Sequence, residues 1–301
     1  MAWRGLHISR PATLTLKQHR VEIAQDEGTL AFALEDIAWI VLDTPQVMLS
    51  GPLIAACMEA GIVLVSADAK HMPCGIVLPF HQHFRQAAIG PLQIAASAPL
   101  KKRLWQRIVR SKIKNQSALL RAVDPGAAET LASMARRVQS GDPDNVEARA
   151  ARVYWSKLWP AFARRDDEDR RNALLNYGYA VVRAAVARAL VAHGLLPAFG
   201  LQHRSVANAF NLADDIVESY RPMVDALALE RWQQALDKTE LDLDDRRGMA
   251  AVLNRNVRMG EETVQILTAV EQSAASLVRA FETVTADELL MPRFPDATNA
   301  G

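Results

Sequence analysis

The first eighty residues carry the hydrophobic patterns of β-strands. Short runs rich in β-branched residues predict strands over residues 12–24, 29–34, 37–42 and 62–66. The last of these is continuously apolar, which is typical of a strand buried on both faces. Residues 51–60 predict a short helix opened by Ser50 and Pro52. We therefore expect a small β-rich domain with one helix over residues 1–80.

The hydrophobic pattern changes after residue 80. Residues 81–99 are mixed in character and contain Pro91, Pro99 and Gly90, so we expect them to be a linker. Helical periodicity then continues almost to the end. Predicted helices cover residues 101–122, 142–159, 171–193, 203–220, 225–237 and 246–282, with Gly194 ending the third and Pro222 closing the fourth. The fold class predicted is α+β, with a larger all-helical domain over residues 100–301.

Charge is distributed unevenly along a chain whose net charge is only +1. Residues 85–165 contain 16 basic and five acidic residues, whereas residues 1–84 and 166–301 are both net acidic. The segment 101–114 contains no acidic residue and seven basic ones: Lys101, Lys102, Arg103, Arg107, Arg110, Lys112 and Lys114. This density favours phosphate contacts over an ordinary solvated face that pairs with the acidic C-terminal part.

Cysteine content and the N-terminal sequence bear on the cellular compartment of the protein. Cys57 and Cys74 are too few for a disulfide framework and lack metal-binding spacing, which favours a reducing cytoplasm. The N-terminus lacks an apolar core with a cleavage site, so we expect no signal peptide. The best apolar run, residues 53–67, is interrupted by Glu59 and Gly61 and is too short to span a bilayer. We therefore expect no membrane partner.

Acidic residues cluster near the end of the predicted helix 203–220. Asp215 and Glu218 share one helical face, and Asp214 also meets Glu218 at a spacing of four. Carboxylates packed this closely repel one another unless a proton or a hard cation such as Mg2+ or Mn2+ relieves them. By spacing alone, a solvated acidic helix end is the stronger explanation.

Sequence spacing gives little support to two other residues as metal ligands. His203 lies at the start of the same predicted helix, about 18 Å from the carboxylates if that helix is straight, so sharing an ion with Glu218 requires a bend or loop. Glu147 lies in the first turns of the helix 142–159, where a single glutamate is usually a surface residue. Tyr177 and Tyr179 are interpreted as packing residues.

Four ordered blocks of this sequence resemble the CRISPR-associated integrase family Cas1. They are ExRAARVYW at residues 147–155, NALLNYGYAVVRAAVARAL at 172–190, GLLPAFGLQH at 194–203 and NLADDIVESYRP at 211–222. The β-rich N-terminal domain followed by a helical domain also fits. The basic block KKRLWQRIVRSKIKNQ is similar to that of the compact type II form, subtype II-C.

The resemblance implies residue roles that spacing does not give. It implies a divalent metal site of Glu147, His203 and Glu218, which would be the catalytic residues, with Asp215 as a further candidate ligand. Residues 203–207 would then form a turn before the helix begins. The metal would be Mg2+ or Mn2+, in a catalytic domain that follows a dimerisation or partner domain.

The resemblance also implies a reaction and partners. A 3′-hydroxyl of a captured double-stranded DNA fragment would attack a phosphodiester at the repeat boundary, which inserts a new spacer by transesterification. Metal ions promote such chemistry by polarising the phosphate. Homodimers would assemble in pairs about a small Cas2 dimer, and residues 101–114 would follow the DNA backbone.

Two alternatives remain at this point. Helical prenyl-diphosphate enzymes bind Mg2+ through a DDxx(D/E) motif similar to Asp214–Glu218, but the second motif they need is incomplete at Asp244-Asp245, and the β-rich domain would be unexplained. The other alternative is a DNA-binding scaffold subunit with a decayed site. Three intact candidate ligands count against it.

Overall fold

A computed structural model describes residues 4–79, 84–159, 161–164, 166 and 168–295. The first residues of the predicted linker and the last six of the C-terminal tail, 81–83 and 296–301, lie outside the described residues. Among those described, the α+β architecture predicted from the sequence is confirmed, with strands first and helices after them.

The N-terminal part contains two four-stranded sheets and one helix. The first sheet has the order β1-β5-β7-β8, and the second has the order β4-β3-β2-β6. The strands are β1 Arg4–Ile8, β2 Ala12–Lys17, β3 Arg20–Gln25, β4 Gly28–Ala33, β5 Ile37–Leu42, β6 Val47–Leu49, β7 Val63–Ala67 and β8 Pro73–Val77. Helix α1 spans Gly51–Glu59, and the Ser50 side chain caps it by accepting from the Leu53 N–H.

The segment 12–24, predicted as strand throughout, is a hairpin of β2 and β3. Gln18 and His19 form its turn, with φ values of 49° and 59°. Two consecutive positive φ angles give the turn whose twist matches that of the flanking strands. Neither residue is a glycine, so the sequence carried no clear turn signal.

Strand β5 faces two hydrophobic cores. Trp39 and Val41 pack into the large core shared with the helices, whereas Ile37 and Ile40 pack into the core between the sheets and α1. Side chains alternate between the faces of a strand, so a strand apolar at every position is covered on both faces. Trp39 also donates from Nε1 to Asn254 Oδ1 at 3.3 Å, which ties the sheet to the helical part.

The helices after residue 84 differ from the predicted ones in several places. Helix α2 lies inside the predicted linker, and α4 was not predicted. Pro222 opens α8 rather than closing the helix before it, as its missing N–H permits in a first turn. The predicted helix 246–282 is interrupted by a β-hairpin. The helices are α2 Gln86–Ala95, α3 Ala98–Leu120, α4 Pro125–Arg137, α5 Val146–Leu158, α6 Arg170–Ala192, α7 Asn211–Val217, α8 Arg221–Gln234, α9 Leu243–Ala250 and α10 Ile266–Glu282, with β9 Asn256–Met259 and β10 Glu262–Gln265 before α10.

Helix α6 is the centre of the helical part. It contacts α7, α8, α9 and α10 on its sides and strands β7 and β8 of the first sheet. By length and composition it is apolar enough to cross a membrane, but 78% of that apolar window is buried inside the protein. Its hydrophobicity is therefore explained by burial in the core.

Candidate active site between helices α3, α5 and α7

Glu147 is fixed by the entry to α5. The Asp142 carboxylate accepts hydrogen bonds from the backbone N–H groups of Val146 and Glu147, each at 2.9 Å. Asp142 thus caps the first turn of α5, which begins at Val146 and not at the predicted residue 142. The Glu147 side chain then points from the first turn of α5 toward α3.

Glu218 lies at the end of α7, where the chain turns into α8. Its side chain is 9% exposed and forms an ion pair with Arg221, from Arg221 Nε to Glu218 Oε1 at 2.8 Å. The short α7 begins only at Asn211, and residues 203–210 are not helical. The straight helix that would have separated His203 from Glu218 therefore does not form.

Lys112 of α3 lies between the two glutamates. Its ammonium Nζ donates to Glu147 Oε1 at 2.6 Å and to Glu218 Oε2 at 2.5 Å. The two acceptor oxygens are therefore within about 5 Å of each other, because both contact one nitrogen. Glu147 and Glu218, distant in sequence, form one acidic site around a buried cation.

His203 is oriented by Asp215. The Asp215 Oδ1 atom is 2.7 Å from His203 Nδ1 and also accepts from the His203 backbone N–H at 3.1 Å. Since the carboxylate accepts at Nδ1, the neutral form of the ring carries its lone pair on Nε2. The ring is 44% exposed, whereas Asp215 is fully buried. Edge-on contact with the Trp105 ring at 5.9 Å further limits its motion.

The loop that carries His203 is held at both ends by buried amides. The Asn211 side chain donates to the carbonyls of Ala198, Ser205 and Asn208 and accepts from the Ser205 N–H. Gln93 of α2 bonds the Leu196 and Phe199 carbonyls at 2.9 and 2.8 Å. The role of these amides in holding the loop was not predicted from the sequence, although Asn211 lies four residues before Asp215.

The electrostatics of the site couple these residues. The hydrogen bond to Asp215 raises the pKa of His203 above its ordinary value, and the Glu218 charge adds to this effect. Burial alone would raise the pKa of Glu218, but the charges of Lys112 and Arg221 outweigh it and hold that pKa below its usual value. His203 is among the charges acting on Glu218, so the imidazole and the carboxylate share one local field.

The three acids of the DDxx(D/E)-like motif have separate partners. Asp214 pairs with Arg183 at 2.5 Å, Asp215 accepts from the His203 loop, and Glu218 pairs with Lys112. Asp215 Oδ2 is occupied by the Leu201 and Gln202 N–H groups, at 2.5 and 3.1 Å. The carboxylates therefore do not converge on one diphosphate-binding face. Asp215 is built to hold His203.

A buried network supports Glu218 from behind. The guanidinium of Arg221 lies 4.5 Å above the Tyr179 ring, and the Tyr179 hydroxyl donates to Asp225. Tyr154 of α5 donates to the other Asp225 oxygen at 2.8 Å. Burial raises the pKa of Asp225 to about 6 against the lowering effect of both hydroxyls. Tyr179 is thus buried as predicted but also forms part of the support for the site.

The predicted DNA-binding residues divide between two sides of α3. Lys112 is 9% exposed and belongs to the acidic site, so it does not lie with Arg107, Arg110 and Lys114. Arg107, Arg110 and Lys114 line a basic cavity of about 320 Å³ with Arg293. Lys112 follows Ile108 by four residues on the buried stripe, and a lysine at an apolar position was the signal that sequence reasoning overlooked.

The donor set suits a divalent cation. Two carboxylates and an imidazole nitrogen are ordinary ligands of such ions, and Lys112 shows that a positive charge is stabilised between the carboxylates. Within the described ranges, no three His, Cys, Asp or Glu side chains stand close enough together to hold a metal as they are arranged. The three-residue metal site stays a prediction, and Lys112 stands between two of its members.

Known proteins resemble this chain over nearly its whole length. The family described as CRISPR associated protein Cas1 matches residues 6–269. The CRISPR-associated endonuclease Cas1 of Neisseria meningitidis serogroup C is 38% identical over 295 residues, which are 97% of this chain and 96% of the relative. Assignment to subtype II-C stays a prediction.

Two solved structures share the fold. A casposase bound to integration product has a TM-score of 0.76 at 17% identity and covers 95% of this chain and 92% of its own. A Cas6-RT-Cas1–Cas2 complex has a TM-score of 0.72 at 20% identity and covers 95% of this chain and 36% of that one. With the family match across residues 6–269, the chain belongs to the CRISPR-associated Cas1 family.

Proposed function

We propose that this protein is a divalent-metal-dependent DNA endonuclease and integrase that joins 3′-hydroxyl ends of captured DNA into a CRISPR repeat array. One observation carries the proposal. Glu147 and Glu218, from separate helices, converge on a single positive charge beside a histidine fixed by Asp215. The relative from Neisseria meningitidis, named an endonuclease, matches over 97% of the chain, which supports the same activity here.

Glu147, Glu218 and Nε2 of His203 are the groups that would hold Mg2+ or Mn2+. Such an ion supplies Lewis-acid polarisation of the phosphodiester and favours ionisation of the attacking hydroxyl. Asp215 keeps the proton on Nδ1 of His203, so that Nε2 presents its lone pair. Arg221 holds Glu218 in place and lowers its proton affinity, which keeps the carboxylate available as a ligand.

The partners proposed are double-stranded DNA, a small Cas2 subunit and a second copy of this chain, with two dimers per complex. The basic cavity on the outer side of α3 supports a contact with a DNA backbone. A Cas1–Cas2 complex among the structures of the same fold supports the second partner.

A strand-transfer assay tests the proposal. A short duplex with free 3′ ends is incubated with a repeat-containing plasmid, the Cas2 subunit and Mn2+ or Mg2+. We expect the wild type to join the duplex to the plasmid, and His203→Ala and Glu218→Gln to lose joining while still binding DNA. Glu129→Gln, an exposed change on α4, is the matched control and should join normally.

Failure of the wild type to join or cut DNA under any of these conditions would remove the enzymatic proposal. If DNA binding then persisted, the scaffold alternative would take its place. Equal joining by the wild type and Glu218→Gln would show that the chemistry lies elsewhere.

A further inference from the structure

The position of Lys112 is unusual for a lysine. Its side chain lies on the buried face of α3, beside Ile108 and Ile113, and its nitrogen contacts one oxygen from each glutamate. Lysines are rarely buried unless they are paired, because removing an ammonium group from water is costly. Here one ammonium balances two carboxylates of the candidate active site.

A divalent ion held by Glu147 and Glu218 would need the same oxygens. Glu218 uses its second oxygen in the ion pair with Arg221, so the oxygen facing Glu147 is the one bound to Lys112. A metal ion and an ammonium group so close together would repel each other strongly. The Lys112 ammonium group and a divalent metal ion therefore cannot bind these two carboxylate oxygens at the same time.

We infer that Lys112 is a positioning residue that acts as a built-in competitor of the metal. In the metal-free protein its ammonium group keeps Glu147 and Glu218 together, and metal binding requires its displacement. The affinity for metal is therefore set below what the ligands alone would give. This inference rests on the proposed metal-dependent function.

A purely structural lysine would behave differently. If Lys112 served only to hold α3 against α5 and α7, neutralising it would loosen the two carboxylates and weaken metal binding or leave it unchanged. If Lys112 competes, neutralising it removes the positive charge shared by the half-buried Glu147 and the buried Glu218, which keeps only Arg221, and a metal ion becomes the best partner of the two facing oxygens. The two roles predict opposite changes in metal affinity.

Isothermal titration with Mn2+ separates them. We expect Lys112→Gln to bind Mn2+ roughly tenfold more tightly than the wild type. This change is smaller than the full free-energy cost of leaving a buried charge unpaired. Lys157→Gln is the matched control, because it makes the same charge change at an exposed end of α5, about 15 Å from Glu147. It should bind Mn2+ like the wild type.

Thermal unfolding gives a second readout. Without metal, Lys112→Gln should melt below the wild type, and Mn2+ should raise its melting temperature by more than it raises that of the wild type. If the glutamine variant does not fold, Lys112→Arg is used, which retains the charge and should bind Mn2+ no more tightly than the wild type; tighter binding by it would overturn the inference.

Equal or weaker Mn2+ binding by Lys112→Gln overturns the inference. If the wild type then still joins DNA in the strand-transfer assay, the proposed function stands without it. If neither the wild type nor Lys112→Gln binds Mn2+, and joining also fails, both ideas are wrong.

Discussion

Asp215 binds His203 twice, through the backbone N–H at 3.1 Å and through ring nitrogen Nδ1 at 2.7 Å. The same carboxylate also accepts from the Leu201 and Gln202 N–H groups. One buried acid therefore sets the path of the loop, the direction of the imidazole ring and the nitrogen that carries its proton.

Replacing Asp215 should disable the site even though Glu147, His203 and Glu218 all remain in place. We expect Asp215→Asn to reduce strand transfer about 10–100-fold, because an amide cannot accept four N–H donors as the carboxylate does. DNA binding, measured by gel shift, should remain. Asp214→Asn is the neighbouring control, since Asp214 pairs with Arg183 instead of His203. Equal losses in both variants would contradict the role given to Asp215.

Gly200 is required by the close approach of the loop to itself. A Cβ at this position would collide with the His203 carbonyl oxygen and lie 2.7 Å from Asp215 Oδ2. We expect Gly200→Ala to lower the free energy of unfolding by about 1–3 kcal/mol and to reduce strand transfer, because the loop must move. Gly126→Ala, with 3.6 Å to its nearest atom, should be neutral in urea unfolding. Unchanged activity in Gly200→Ala would show that the loop is not tightly set.

Tyr179 is predicted to act through both its ring and its hydroxyl. Tyr179→Phe removes the bond to buried Asp225 and should lower the free energy of unfolding by about 1–3 kcal/mol, while the ring under Arg221 remains. Tyr179→Leu removes the ring as well, so we expect a further loss of strand transfer. Chemical denaturation and the joining assay measure the two effects separately. Equal activity of the two variants would mean that the ring does not support Arg221.

His7 makes stability depend on pH. Burial lowers the pKa of His7 to about 4, against 6.5 for an unperturbed histidine. Between pH 4 and 6.5 the His7 side chain binds more protons in the unfolded chain than in the folded one. The free energy of unfolding therefore falls as the pH drops from 6.5 toward 4, and this loss is absent above pH 6.5. The loss attributable to His7 is about 3 kcal/mol.

His7→Gln should therefore lose less stability than the wild type between pH 6.5 and 4, as followed by urea unfolding at several pH values. His19→Asn, a change in the exposed turn between β2 and β3, is the control and should keep the wild-type pH dependence. A parallel pH profile for His7→Gln would show that the histidine already titrates normally in the folded protein.

The sequence was most informative where one physical signal dominated. The run of residues 37–42 matches β5 residue for residue, because a short run rich in β-branched and aromatic residues strongly favours a strand. Pro222 was misread, since proline can either follow a helix or begin one, and only the turn at residues 218–220 decides between them. The isolated bridge between Arg258 and Arg293 joins β9 to the segment after α10, a contact that the local sequence pattern does not contain.

The candidate site shows the same limit. Resemblance predicts Glu147, His203 and Glu218 as site residues, but their mutual arrangement depends on a capped helix entry, a loop fixed by hydrogen bonds and a buried lysine. Lys112 looked like one of several cations in a basic stretch, and only packing distinguishes it from Lys114 two residues away. Contacts between residues far apart in the sequence, such as those of Lys112, do not produce a periodic sequence pattern.

Strand β5 has a consequence for how the molecule can move. Because Trp39 packs among the helices while Ile40 packs between the sheets, a rotation of the β-rich part against the helical part would pull apolar side chains into water. Apolar contacts of this kind oppose hinge motion between neighbouring parts of a chain. We therefore expect the β-rich and helical parts to move together. A partner bound to the N-terminal sheets would then also fix the orientation of Glu147, His203 and Glu218.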